Sequence, residues 1–567
     1  MYRYSTFITS WLFIILISAF SVNGQVSEQT NAEKSELKKE HENQFEISKN
    51  LEIYIELFKE LNSLYVDEIN PAQLIQLSIK EMLRSLDPYT VFYPESALED
   101  FRFMTTGNYG GIGATISKKG DYVIISEPYE SFPAQKCGMM AGDKILQIDG
   151  KDAKGMSTDD VSNLLKGQPG TEAHVLLQRQ GTDAPFELLV MRENIQIKNV
   201  PYYGMLNENV GYIILSGFKN NAAEDVKKAL LDLQSKHEIK ALVLDLRSNP
   251  GGLLMEAVKL AALFVDKGEL IVSTRGKVEN WNKEYRTFDN PVAKDLPLAI
   301  LTNGGSASAS EIVAGTLQDL DRAVIIGERT LGKGLVQTTR SLTYNTQLKV
   351  TTSKYYIPSG RCIQEIDYSH KGNDGKAFKV PDSLISEFTT RNGRKVYDGK
   401  GIKPDIEISL SENPVILQSI YSDFLSFDFA TTYRLSHPSI DSPEVFNLSD
   451  AEYNEFIDFV AGKNLTYKNP SEKALENFKA KAKGDDYFDA IADDYKRILE
   501  KIDDQKRKDV IKYKSEIIRI LENDIVSRYY YQTGRIKSSL TRDPEIKEAL
   551  KIFAEMDNYT SLLKGNN

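Results

Sequence analysis

Apolar positions along this chain change their period several times, and each change marks a part of the molecule. An apolar run, interrupted only by Ser18, covers 11–20, and residues 26–44 are polar and charged. From Phe45 onward, Phe45, Ile47, Leu51, Ile55, Phe58 and Leu61 recur at close to helical spacing, as do apolar positions over 74–86. These predict a small helical region that stops at Leu86-Asp87-Pro88-Tyr89-Thr90, where the proline cannot continue a helix. Between about 105 and 195 the pattern shortens to strands punctuated by turns. The strands are 122–126, 144–148 before Asp149-Gly150, and 174–179 before Gln180-Gly181, with one helix at 158–165.

From about 210 to 330, near-continuous apolar strands at 210–215, 241–246, 298–301 and 323–326 alternate with amphipathic helices at 222–234, 253–264 and 308–317. Strands with no polar face must be covered on both sides, which predicts an α/β core. The last 150 residues, from about Pro414, are rich in lysine and aspartate with helical spacing, as in Val510, Tyr513, Ile517 and Ile520. They read as a solvated helical appendage without chemistry of its own.

Composition narrows the function. With 567 residues, 41% hydrophobic and 27% charged, the chain has material for several cores and is too apolar to be disordered. A net charge of −11 repels phosphate backbones and anionic headgroups alike, so protein substrates fit better than nucleic acid or membrane. The opening Met1-Tyr2-Arg3-Tyr4, the apolar run and Val22-Asn23-Gly24 together have the outline of a signal peptide over 1–24, hence export. An uncleaved anchor is the alternative, although the run is shorter than the ~20 residues of a spanning helix. Cys137 and Cys362, the only cysteines, are too far apart to make a disulfide framework and read as inert buried thiols.

The strand at 298–301 runs into Thr302-Asn303-Gly304-Gly305-Ser306-Ala307-Ser308-Ala309-Ser310-Glu311 and then a helix. A small-residue turn of this kind converges backbone N–H groups on one point, and a helix N-terminus favours an oxyanion there. Ser308 is therefore placed as a nucleophile, although serines are also ordinary helix caps. None of His41, His174, His237, His370 and His437 lies in a strand-turn-helix motif, so a Ser-His-Asp triad has no obvious member. Lys333, between Gly332 and Gly334 just after another apolar strand, is the substitute base. It can serve only if burial lowers its pKa by roughly 3 units; otherwise it is a surface lysine in a turn. A third loop, Asp245-Leu246-Arg247-Ser248-Asn249-Pro250-Gly251-Gly252, has unhindered N–H groups suited to a second oxyanion donor.

Five ordered segments together resemble the C-terminal processing peptidases, also called carboxyl-terminal or tail-specific proteases. They are 245–252, 303–312, 327–337, Tyr355-Tyr356-Ile357-Pro358-Ser359-Gly360-Arg361-Cys362-Ile363-Gln364, and Gly401-Ile402-Lys403-Pro404-Asp405. The resemblance runs from about 45 to 410. It implies a multidomain α/β protein with a ClpP/crotonase-like core at 196–410 and a PDZ domain of mixed β structure at 105–195. Around them it leaves a flexible leader at 25–44, a helical region at 45–104 and the helical appendage at 411–567. Ser308 would be the nucleophile, Lys333 the general base and Gln337 the residue that orients its amine, with the N–H groups of Gly252 and Ala309 as oxyanion hole. In the PDZ segment, Gly110, Gly111, Ile112 and Gly113 would bind a peptide carboxylate, and Val161 and Leu165 would line the pocket for its last side chain. Those two residues serve equally as domain core.

The resemblance carries no metal and no cofactor. It implies an exported, most readily periplasmic, serine endopeptidase acting through an acyl-enzyme on proteins with free C-terminal tails, with a regulatory partner and a homo-oligomer as further expectations. The rival reading is a catalytically inactive PDZ adaptor on a protease fold. A crotonase-like CoA enzyme shares the fold class but explains neither the PDZ segment nor the signal.

Overall fold

The computed structural model describes residues 31–565 except 373, 409–413, 462 and 464–468, with backbone alone at 31–40, 99–101 and 507. The signal expected over 1–24 lies outside the described residues. No helix among the described residues is long and apolar enough to cross a membrane.

The described residues up to Glu81 form one unit and those from Met82 onward another. In the first, the helix Asn31–Leu64 is joined to the following helix by a 2.7 Å hydrogen bond between Tyr54 Oη and Ser78 Oγ. The leader expected to be flexible is thus helical from Asn31 onward. Its Glu, Lys, Ala and Leu residues are strong helix formers, so local propensity builds the helix where hydrophobic patterning gives no signal.

In the second unit, the strands Ala114–Lys119, Tyr122–Pro128, Lys144–Ile148, Glu172–Gln178 and Phe186–Met191 form an antiparallel sheet in that order. The helix Thr158–Leu165 packs on it, started by Ser157, whose Oγ accepts from the Asp160 N–H while the Asp160 carboxylate accepts from the Ser157 N–H. Arg192 finishes the helix by donating to the carbonyls of Leu164 and Leu165 at 2.9 and 3.1 Å.

The main sheet orders the strands Tyr202–Met205, Val210–Ile214, Ala241–Asp245, Leu298–Thr302, Val324–Gly327 and Ile406–Glu407. All but the first run parallel, and their spatial order is their sequence order. Right-handed crossovers between successive parallel neighbours put the crossover helices on one face. There Leu242, Leu244, Leu298 and Ile300 pack with residues of the helices Ala222–Lys236, Leu254–Ala261 and Ala309–Asp319. Alternate strand residues, Val243, Ala299, Leu301 and Ile326, point to the other face, which these crossovers leave bare.

The C-terminal tail covers that face. Ile546, Ala549, Ile552 and Tyr559, on the helices Pro544–Ala554 and Met556–Lys564, pack against it, and Tyr559 Oη accepts from the Leu298 N–H at 3.0 Å. The reading of 411–567 as a solvated appendage is corrected here. Its last two helices are a layer of the main-sheet domain, and residues from Ile416 to Val526 have an apolar core of their own. A hydrophobic spacing diluted by surface lysine and aspartate does not reveal which face it meets.

Candidate active site

The strand Leu298–Thr302 delivers the serine turn and Val324–Gly327 delivers the lysine loop, side by side at the carboxyl ends of parallel strands. Ser308 occupies φ 55°, ψ −110°, a conformation few side-chain-bearing residues adopt. Tyr355 Oη donates to its carbonyl at 3.2 Å, which helps hold that geometry. The flanking serines are structural: buried Ser306 donates to the Leu246 carbonyl at 2.8 Å and buried Ser310 to that of Asn249 at 2.9 Å. Both fasten the serine turn to the 245–252 loop. Asn249 completes the seam, since its carbonyl also accepts from the Ala307 N–H and its side-chain oxygen from the Gly251 N–H.

Gly251 and Gly252 have φ of 94° and 148°, and a Cβ on Gly251 would stand 2.9 Å from Ser308 Cβ, one on Gly252 2.3 Å from the Phe218 carbonyl oxygen. Only glycine lets this loop lie against the serine. Phe218 N–H donates to the Gly251 carbonyl and Leu253 N–H to that of Phe218, which fixes the Gly252 peptide. Among the described residues, the N–H groups of Gly252 and Ala309 meet no acceptor, so both are open to an oxyanion.

Glu311 joins the two halves. Its buried carboxylate accepts from the N–H groups of Ser308, Gly332 and Lys333 at 2.7, 2.7 and 2.9 Å and from Thr330 Oγ1 at 2.6 Å. Burial pushes its pKa up, against the opposing pull of these four donors. The sequence motif contains Glu311 but assigns it no role; a carboxylate three residues after a cap serine is the available signal.

The Lys333 amine lies 4.1 Å from the Tyr89 ring centroid. Burial, with the neighbouring Lys349 cation adding to it, lowers its pKa to about 8 against the opposing pull of Glu311 and Asp87. Asp87 in turn accepts from the N–H groups of Tyr89 and Thr90, both at 2.8 Å. The Asp-Pro-Tyr-Thr segment read only as a helix stop therefore walls the lysine side of the site. Its signal, a proline, is spent on local chain geometry and says nothing of where the segment lands.

Two expectations need correction. Gln337 donates to Thr351 Oγ1 at 3.3 Å, and no hydrogen bond joins it to Lys333; it sits where its strand pairs across Leu335–Ser341 and Gln347–Tyr356, with a register shift between Val336 and Gln337. Val161 and Leu165 are sealed in the core of the N-terminal sheet domain, at 0% and 4% exposure, rather than lining an open pocket. One helical turn apart, they share the face that the sheet buries. Gly110 and Gly111 lie in a strand pair with Glu193–Gln196, while the Ile112 and Gly113 carbonyls accept from Ala134 and Tyr129.

The histidines make their contacts elsewhere: His174 with Glu187, His370 with Asp367, and His437 with the Tyr433 carbonyl. Cys137 and Cys362 are both free thiols whose pKa burial raises. Among the described residues no group of His, Cys, Asp and Glu could hold a metal ion.

Residues 209–370 match the model of peptidase family S41, 124–179 that of the PDZ domain, and 416–553 that of the C-terminal helical domain of a probable PDZ-protease. The last match covers the tail that the five motifs leave out. A carboxy-terminal-processing protease of Bartonella bacilliformis is 38% identical over 321 residues, 56% of this chain and 73% of that protein. A probable CtpA-like serine protease of Staphylococcus aureus is 36% identical over 311 residues, 54% of this chain, which spans 61% of that relative's length. Among solved structures, a photosystem II D1 C-terminal processing protease aligns at 28% identity over 63% of this chain and 92% of its own, with a TM-score of 0.35.

Proposed function

Since the chain belongs to the carboxy-terminal-processing proteases of peptidase family S41, serine-type peptidases acting on protein substrates, we propose that it cuts them with a Ser308–Lys333 dyad. Lys333, as the free amine, takes the Ser308 hydroxyl proton while Oγ attacks the scissile carbonyl. The Gly252 and Ala309 N–H groups receive the oxyanion. Lys333 returns the proton to the leaving amine, and water then hydrolyses the acyl-enzyme. The single observation that carries this reading is the environment of Lys333: half-buried, depressed to about pKa 8, and tied through Glu311 to the serine turn. To reach Ser308 its amine leaves the Tyr89 ring.

The PDZ domain reads the substrate's C-terminus in this proposal. Ala114–Lys119 is the outer strand of its sheet, with a free edge to which an extended tail can add. The last side chain then needs the core around Val161 to open. The apolar run at 11–20 supports export, with the periplasm as the compartment. A regulatory partner and self-association belong to the same reading.

A fluorophosphonate probe tests the dyad directly. Labelling confined to Ser308, and lost in a folded Lys333→Ala protein, is the expected result. Peptide cleavage by protein that takes no label would overturn it. Exported proteins that co-purify with the Ser308→Ala form would identify the substrates.

A further inference from the structure

A cavity of about 260 Å³ opens between the PDZ domain and the helical domain, away from the serine site. On one side are Met139, Met140 and Arg179; on the other are Arg434 and Leu435 of the helix Leu425–Ser436, with Arg528 and Tyr531 of the helix Lys514–Leu540. Three arginines line it and no carboxylate does. Arg179 is neutralised by Asp143, to which it donates twice at 2.7 Å. The other two have no such contact.

Arg434 donates to the carbonyls of His437 and Pro438, and Arg528 to the carbonyls of Phe427 and Asp524 and to Ser527 Oγ. Among the described residues neither forms an ion pair. The Nε of each is shut away from solvent without any hydrogen-bond partner. The carboxylates of Asp524, Glu127 and Asp428 act on Arg528 only through space, against the Arg535 cation. Half-buried guanidinium groups that face carbonyl dipoles and the rings of Tyr529 and Phe427, at 4.3 and 4.2 Å, but touch no anion can still take a negative charge. The methionines and Leu435 beside them ask for apolar surface, and methionine adapts to different shapes. Tyr531, on the wall, interrupts its helix at φ 53°, ψ −157°, the strained backbone that ligand clamps tolerate.

We propose that this cavity binds a compact monocarboxylate with an apolar body, its carboxylate between Arg434 and Arg528 and its body against Met139, Met140 and Leu435. The terminal residue of a peptide and a short-chain fatty acid share this chemistry. Either one bridges the PDZ domain and the helical domain, and so sets how firmly the two are held together.

Full-length Ser308→Ala protein, which cannot turn ligands over, is titrated calorimetrically at low salt with N-acetyl-leucine, hexanoate and N-acetyl-leucinamide. At least one acid should bind tenfold or more tightly than the amide. N-acetyl-leucine binding alone identifies a peptide terminus, hexanoate alone a fatty acid, and both the shared chemistry. Arg434→Met should weaken the acid tenfold or more. Because removing a half-buried arginine risks misfolding, Leu435→Trp is the second variant: it starts from a side chain 49% exposed, deletes no hydrogen bond and fills the cavity. Both positions lie outside the PDZ domain, so tail binding in the PDZ groove predicts no loss in either. Equal binding of acid and amide, no binding of either acid, or unchanged acid binding by folded Leu435→Trp protein overturns the proposal.

Discussion

The backbones of Ser308 and Lys333 are held by one atom: both N–H groups donate to Oε2 of Glu311, at 2.7 and 2.9 Å. The serine turn and the lysine loop, 25 residues apart in sequence, are thereby a single hydrogen-bonded unit around a buried carboxylate. The other oxygen takes Gly332 N–H and Thr330 Oγ1.

Replacing that carboxylate by an amide should break the unit. Glu311→Gln puts an NH₂ against backbone N–H donors, so at least one buried donor loses its partner at a cost of about 2–3 kcal/mol. Urea denaturation should show that loss, and kcat/KM should drop by about 10²-fold or more as the two loops drift apart. A Glu311→Gln protein with wild-type stability and turnover would remove Glu311 from the architecture of the site.

The dyad should behave as one device. Ser308→Ala and Lys333→Ala are each expected to lower kcat by on the order of 10³-fold or more with the fold intact, and the double variant should be no slower than either. Additive losses in the double variant, or equal loss on substituting one of the five histidines in a folded protein, would contradict the assignment.

The pH profile follows from Lys333. The base works only when deprotonated, so acylation should fall about tenfold per pH unit below a pKa of about 8 and level off above it. Lys349 helps to depress that pKa by like-charge repulsion. Lys349→Gln should therefore move the inflection to more alkaline pH. Single-turnover acylation rates across the range measure it, and an inflection that stays put or moves acidic would show that Lys349 plays no such part.

The tail should matter to stability as a core element. Ile546 and Ile552 are buried against the main sheet, and Ile546→Ala should cost about 2–4 kcal/mol in chemical denaturation. Tyr559→Phe leaves the Leu298 N–H without its acceptor and should cost about 1 kcal/mol or more. Ile546→Ala protein as stable as wild type would mean that these helices are merely laid on the surface.

Tail reading is tested on substrates rather than on Val161. Because Val161 is fully buried, Val161→Asp would place a charge in the domain's core and unfold it. Matched peptides with free and amidated C-termini are the cleaner probe, and the free acids should be cleaved more efficiently. Equal efficiency across a library would dismiss the PDZ domain as a tail reader.

The strand and helix periods of the α/β core are legible in the sequence, because a strand buried on both faces has no polar position to blur it. The helix Thr158–Leu165 and the strand Lys144–Ile148 can be placed to the residue for a similar reason, each being bounded by its own cap or turn. Ser308 and Lys333 are legible because the five family motifs occur together and in order; each turn alone reads as well as a helix cap or a surface loop. Gln337, by contrast, rests on motif alone, and a register shift in its hairpin directs it to Thr351. Glu311 shows in the sequence only as a cap partner three residues after Ser308, while its bonds to the lysine loop, and the parts played by Tyr89 and Lys349, join residues distant along the chain. The same holds for the second face of the main sheet. The sequence required that it be covered, but only three-dimensional packing decided that residues 544–564 cover it, because a diluted helical stripe specifies that a helix buries one side and not which surface it meets.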